Sequence, residues 1–112
     1  MAKTNQFDTE HYKRGWKGVY RTYKYKARKR GLVFNLSKDY FKKLWQKPCW
    51  YCGYAIKTIG LDRINNSLGY IKGNVRPSCR YCNTGKLNLT TIQFLALASN
   101  IVRRHGLVYG KV

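Results

Sequence analysis

Cys49-Trp50-Tyr51-Cys52-Gly53, Asp62-Arg63 and Cys79-Arg80-Tyr81-Cys82-Asn83 decide the fold. The two Cys-x-x-Cys pairs are separated by 26 residues, positions 53–78. Four soft ligands at this spacing suit a closed, tetrahedral zinc site. Such a site leaves no coordination position for substrate, so it contributes folding free energy rather than chemistry. Four free core thiols or a redox pair explain neither the doubling nor the spacing. An iron–sulfur cluster is the remaining competitor. Gly53 permits the tight turn that brings the Cys49 and Cys52 thiolates onto one ion.

Working outward, a 112-residue chain is expected to form one small domain, whose limited buried surface makes a structural staple useful. No apolar signal segment follows the basic start, so we expect a reducing, intracellular setting and no secretion. No apolar run reaches the roughly 18 residues that span a bilayer, so no membrane partner is expected.

Charge narrows the partner. The chain carries 23 Lys and Arg against four acids, Asp8, Glu10, Asp39 and Asp62, for a formal net charge of +19. A domain this basic calls for a polyanion, and nucleic acid is the expected one. Asp62 is the only acidic side chain beyond residue 39. A solitary carboxylate in such a field is either a cap or ion-pair residue for a neighbouring Arg, or a ligand for a divalent cation.

Three segments follow along the chain. Residues 1–10 lack apolar periodicity and are expected to form a flexible arm. Residues 11–47 read as a basic and aromatic helical segment packing on the core. Trp16, Tyr20, Tyr23 and Ala27 share one helix face, and Gly31 stops that helix. Lys13, Arg14, Lys17, Arg21, Lys24, Arg28, Lys29 and Arg30 supply a basic surface suited to tracking phosphates. After an extended stretch at 32–36, Ser37 is a candidate N-cap for a helix carrying Tyr40, Phe41, Leu44 and Trp45 inward, ended by Pro48. Residues 48–112 hold the motif region and a C-terminal helix. Residues 54–63 have room for an antiparallel pair of short strands, and Cys79 to about Lys86 for a short helix. Thr90 or Thr91 caps the last helix, which places Ile92, Leu95, Ala96, Ser99 and Val102 on one side and stops at Gly106.

The run CWYCG, GLDRINNSLGYIKGNV, RPSCRYCNTGK, preceded by RGLVFNLSKDYF, resembles the HNH, or ββα-metal, endonucleases. The likeness is to their zinc-containing four-cysteine branch, found in phage and mobile-element nucleases, and it covers about residues 20–95. It implies an α+β fold in which a small zinc-stapled ββα core carries flanking helices. It also implies that Asp62 and Asn83 are the protein ligands of a catalytic Mg²⁺ or Mn²⁺, and that Asn74 braces the intervening loop. Oxygen ligands completed by water and phosphate suit those ions. The chain departs from the family at Arg63, which stands where most members have the His that acts as general base. A guanidinium stays protonated and cannot serve as a base, but it can clamp a phosphate and stabilise transition-state charge. Other candidates for water activation are the metal itself, His11, His105, Tyr54 and Tyr70.

Two functions are therefore expected in competition. One is a metal-dependent hydrolase nicking a nucleic-acid phosphodiester, DNA before RNA. The other is a non-catalytic, zinc-stabilised basic module that binds nucleic acid, for instance ribosomal RNA, on the same scaffold. A homodimer or a larger nucleoprotein assembly is compatible with either.

Overall fold

The computed structural model describes residues 6–106, with side chains from residue 15 onward. In chain order the elements are α1 (Gln6–Lys29), β1 (Phe34–Asn35), α2 (Lys38–Leu44), β2 (Leu61–Arg63), β3 (Tyr70–Ile71), β4 (Val75–Pro77), α3 (Arg80–Lys86) and α4 (Thr91–His105). This is a mixed helix and strand fold in which β2, β4 and α3 form a ββα unit, flanked by helices on either side in sequence.

Helix α1 begins at Gln6, inside the stretch expected as an arm, and is interrupted at Gly15, whose φ of 70° and ψ of 173° are not helical. Residues 1–5 and the side chains of His11, Lys13 and Arg14 lie outside the described residues. From Trp16 onward the expected face turns inward. Val19, Tyr20 and Ala27 are buried, with Trp16 and Tyr23 packed against them. Aromatic side chains meet there edge to face: Tyr20 on Phe41 at 5.1 Å, Tyr23 on Phe41 and on Tyr70, each at 5.9 Å. Phe41 is wholly buried, an apolar burial worth roughly 1.5–3 kcal/mol. The Tyr20 hydroxyl satisfies itself by donating to the Leu36 carbonyl at 2.7 Å.

Ser37 caps α2, its Oγ accepting from the Tyr40 N–H at 3.0 Å. The helix ends at Leu44, before Pro48 is reached, because Trp45 turns to an extended backbone and Gln46 to a φ of 61°. Gln46 is held there by backbone and side-chain bonds to Thr58 and Lys57, each at 2.8 Å.

The strand pairing differs from the expectation. Residues 54–60 form no strand. β2 instead pairs antiparallel with β4, in the register Leu61 to Pro77, Asp62 to Arg76 and Arg63 to Val75. Backbone groups of 54–60 are used elsewhere: the Tyr54 carbonyl accepts from Cys49 N–H and the Thr58 carbonyl from Gln46 N–H. At Gly60 the chain passes so close to β4 that a Cβ would lie 2.1 Å from the Ser78 carbonyl oxygen, so only glycine fits. The intervening β3 pairs in parallel with β1, Phe34 to Tyr70 and Asn35 to Ile71.

Helix α4 starts with a capping box between Thr90 and Gln93 and stops at Gly106 in the left-handed region. No residue of α4 is buried. Its apolar side chains are exposed, Ile92 at 81% and Ile101 at 53%, and Phe94 makes its contact edge-on with Tyr51 at 5.3 Å. No helix among the described residues is long and apolar enough to cross a membrane.

Candidate functional site

The cysteine cluster comes from two turns. In the first, the Gly53 N–H bonds the Cys49 carbonyl at 2.9 Å with Gly53 at a φ of 75°, folding Cys52 back beside Cys49. The Trp50 N–H reaches the Pro77 carbonyl at 2.8 Å, which ties this turn to the end of β4. In the second, Cys79 is the N-cap of α3, its Sγ accepting from Cys82 N–H at 3.4 Å. The four sulfurs lie within 4.8 Å of one another, and Cys52 to Cys79 is 3.7 Å. A tetrahedron with Zn–S bonds of about 2.3 Å places its sulfurs roughly 3.8 Å apart. The cluster is thus able to hold a metal ion such as zinc.

Its electrostatics agree. Burial raises the Cys49 thiol, but backbone N–H groups of Cys52, Cys79 and Tyr51 outweigh it and bring the thiol down to about 7. Burial and its sulfur neighbours push Cys82 up, and burial pushes Cys79 up. Adjacent thiolates cannot all ionise without a cation among them.

Asp62 sits on β2, 4% exposed, with both carboxylate oxygens engaged. Oδ1 lies 3.0 Å from Lys86 Nζ. Oδ2 accepts from the Tyr51 hydroxyl at 2.6 Å. Burial, together with this bond to Asp62, pushes the Tyr51 hydroxyl up to about 12, so it remains a donor. Of the two roles open to a solitary carboxylate, the ion pair is present, but with a lysine rather than an arginine. Lys86 is completely buried, and among the described residues its Nζ has no hydrogen-bond partner beyond this pair.

Sequence reasoning missed Lys86 and Tyr51. Lys86 is one cation among 23 in the chain. The available signal was its spacing: it lies one helical turn after Asn83 on α3 and so shares that residue's face. Tyr51 reads as packing for the first cysteine turn, and nothing local connects it with a residue eleven positions on.

Asn83 follows the last cysteine on α3, and its N–H bonds the Cys79 carbonyl at 2.9 Å. Its side-chain amide donates to the Leu61 carbonyl at 3.3 Å, leaving the side-chain oxygen available. Asp62 and Asn83 line one cavity of about 250 Å³ together with Arg30, Arg63, Tyr70 and Asn88. The structure therefore gathers residues from the turn just after α1, from β2 and β3, and from α3 around one space.

Arg63 is partly committed. Its Nη1 donates to the carbonyls of Asn66 at 2.8 Å and Leu68 at 3.0 Å, and the guanidinium lies 5.7 Å from the Tyr70 ring centre. Arg63 also lines the cavity. Asn74 is 5% exposed. Its Oδ1 accepts from Asn65 N–H at 2.8 Å while Nδ2 donates to the carbonyls of Gly69 at 2.9 Å and Asn65 at 3.2 Å, cross-tying the loop between β2 and β4.

Of the other candidate bases, Tyr70 is buried beside Tyr23 and Phe34 while lining the cavity. Tyr54 packs edge-on against Tyr81 at 6.3 Å, and His105 is exposed in the last turn of α4. Along α1, Lys17, Arg21, Arg28 and Lys29 are exposed and Lys24 is half-buried, and Arg30 just past its end is exposed.

A ββα unit with a four-cysteine cluster at its base and flanking helices gives the chain a fold similar to that of the HNH, or ββα-metal, endonucleases. Among solved structures it is similar to the rare-cutting HNH restriction endonuclease PacI, with a TM-score of 0.64 and 25% identity, covering 82% of this chain and 80% of that one. It is 39% identical over 84 residues to the uncharacterized protein R423 of Acanthamoeba polyphaga mimivirus. That match takes in 73% of this chain but 16% of the longer relative. No protein-family model matches the chain.

Proposed function

We propose that the chain is a divalent-metal-dependent endonuclease that nicks DNA by hydrolysing a phosphodiester bond. One observation carries this reading: Asp62 and Asn83 share a cavity with Arg30 and Arg63 on a scaffold similar to an HNH restriction endonuclease. The donor set fits Mg²⁺ or Mn²⁺. An ionised carboxylate offers about four acceptor positions, of which Lys86 and Tyr51 occupy two, and Asn83 adds an amide oxygen. Bound there, such an ion would supply Lewis acidity and make water easier to ionise.

The chain's own residues perform the rest. Arg30 and Arg63 draw a phosphate into the cavity and stabilise the charge that grows on its oxygens. Arg63 is held in place by the carbonyls of Asn66 and Leu68, so its orientation is set before substrate arrives. Lys17, Arg21, Lys24, Arg28 and Lys29 continue the basic surface along α1 and hold neighbouring phosphates without reading bases; Lys13 and Arg14 extend it in sequence. The zinc cluster positions Asn83 through the backbone of Cys79 and Cys82. One such site cuts one strand, so a double-strand break requires a second copy. Four cysteines held as ligands of one metal rather than as disulfides fit a reducing compartment.

The Lys86 pair favours a second reading, a binding module, because it already neutralises Asp62. Supercoiled-plasmid conversion with Mg²⁺ or Mn²⁺ separates the two. Wild type should nick. Asn83→Ala and Asp62→Asn, each checked for zinc content and a cooperative melt, should lose at least about a hundredfold in rate while still binding DNA. Undiminished DNA binding with no cutting by wild type on any form of DNA or RNA would establish the binding module instead.

A further inference from the structure

We propose that divalent-cation binding at Asp62 is conditional on a bound phosphodiester, because Lys86 cancels the carboxylate's charge from behind. The inference rests on the nuclease reading of the same site and specifies how that site is loaded. Lys86 is wholly buried and pairs with Oδ1 at 3.0 Å, yet it does not line the cavity that Asp62 and Asn83 share. Its ammonium therefore approaches Asp62 from outside that cavity, while Oδ2, which accepts from Tyr51, keeps acceptor capacity for a further partner. The pair also resists separation, since moving Lys86 away would strand two buried charges.

The electrostatic consequence follows from the residues around that space. Asp62 is paired with Lys86 at 3.0 Å and shares its cavity with two further cations, Arg30 and Arg63. The formal balance is two positive charges. Such a cavity attracts a phosphate and repels Mg²⁺. A phosphodiester lowers the local charge and contributes oxygen ligands opposite Asp62 and Asn83, which matches the preference of Mg²⁺ for one or two carboxylates completed by substrate phosphate. Coupling of this kind is reciprocal, so the ion must tighten nucleic-acid binding by the same factor. Lys86 is thereby a positioning residue that also sets the order of assembly.

The test is a Mn²⁺ titration of zinc-loaded protein, followed by the paramagnetic resonance of the free ion. It is run with and without a short duplex carrying non-cleavable bridging phosphonate linkages. Asp62→Asn with the same duplex serves as the blank for Mn²⁺ held by DNA alone. Wild type should bind the Asp62-dependent Mn²⁺ at least roughly tenfold more tightly with duplex than without. Lys86→Met should bind the ion without duplex and narrow that ratio, and Lys86→Arg should restore it. Should Lys86→Met lose its zinc or its cooperative melt, Lys86→Gln takes its place, and the wild-type ratio needs no variant. Equal affinity with and without duplex overturns the inference and leaves the metal-dependent nuclease standing. No Asp62-dependent Mn²⁺ in either state removes the metal-dependent reading, and the inference with it.

Discussion

The two candidate metal sites share a few residues of backbone and have opposite electrostatics. At the cysteine cluster, four sulfurs lie within 4.8 Å of one another, and as thiolates they repel unless a cation lies among them. At Asp62, the negative charge is already matched by a buried ammonium at 3.0 Å. The first site is incomplete without a cation; the second is complete without one. On the proposed reading, a small basic domain would keep a permanent ion for its fold and leave the Asp62 position uncommitted until a ligand changes the local charge.

The largest expected effect breaks this contrast at the cysteine end. Chelating the zinc, or Cys82→Ser, should abolish the cooperative thermal transition seen by circular dichroism. Structural zinc supplies about 10–16 kcal/mol in small domains, as much as a domain's whole stability. A chelated protein that keeps its melt would show that the cluster is not the staple. Next in size, Asp62→Ala strands Lys86 as an unpaired buried cation and should cost about 3–5 kcal/mol in urea denaturation. The double variant Asp62→Ala with Lys86→Met should recover most of that loss, confirming that the pair's strength lies in mutual compensation. Smallest, Tyr51→Phe removes one charge-assisted bond to Oδ2 and should cost roughly 1.5 kcal/mol. If it costs nothing, the carboxylate is held by Lys86 alone.

Much of this comparison was legible in the chain, and unevenly so. The cysteine pairs, the Ser37 and Thr90 caps and the α3 boundaries are local signals, and each is found where its chemistry places it. Arg30, Asp62, Arg63 and Asn83 were legible as individual residues. That they line one space depends on α1 packing beside the β2–β4 pair, which no local pattern encodes. The strand pairing was misread for a related reason: Leu61, Asp62 and Arg63 find their partners across the Asn74-braced loop, beyond the range of hairpin signals. Lys86 stayed hidden because burial of a lysine is a tertiary fact, and the composition of a strongly basic chain conceals it. The apolar side of α4 was readable as a pattern but not as an exposed one.

The cysteine turns also bear on chain topology. Cys49 and Cys82 bracket β2, β3 and β4 completely, so an ion shared by them closes a loop around every residue between the two turns. Loop closure is the entropic toll on distant pairing, and it grows only slowly with the length enclosed. With the clip in place, the search that aligns Asp62 with Arg76 runs inside a ring rather than along an open chain. Asp62 would thus belong to a circle of residues whose ends are already joined, while α1, with Arg30 just past its end, docks from outside it.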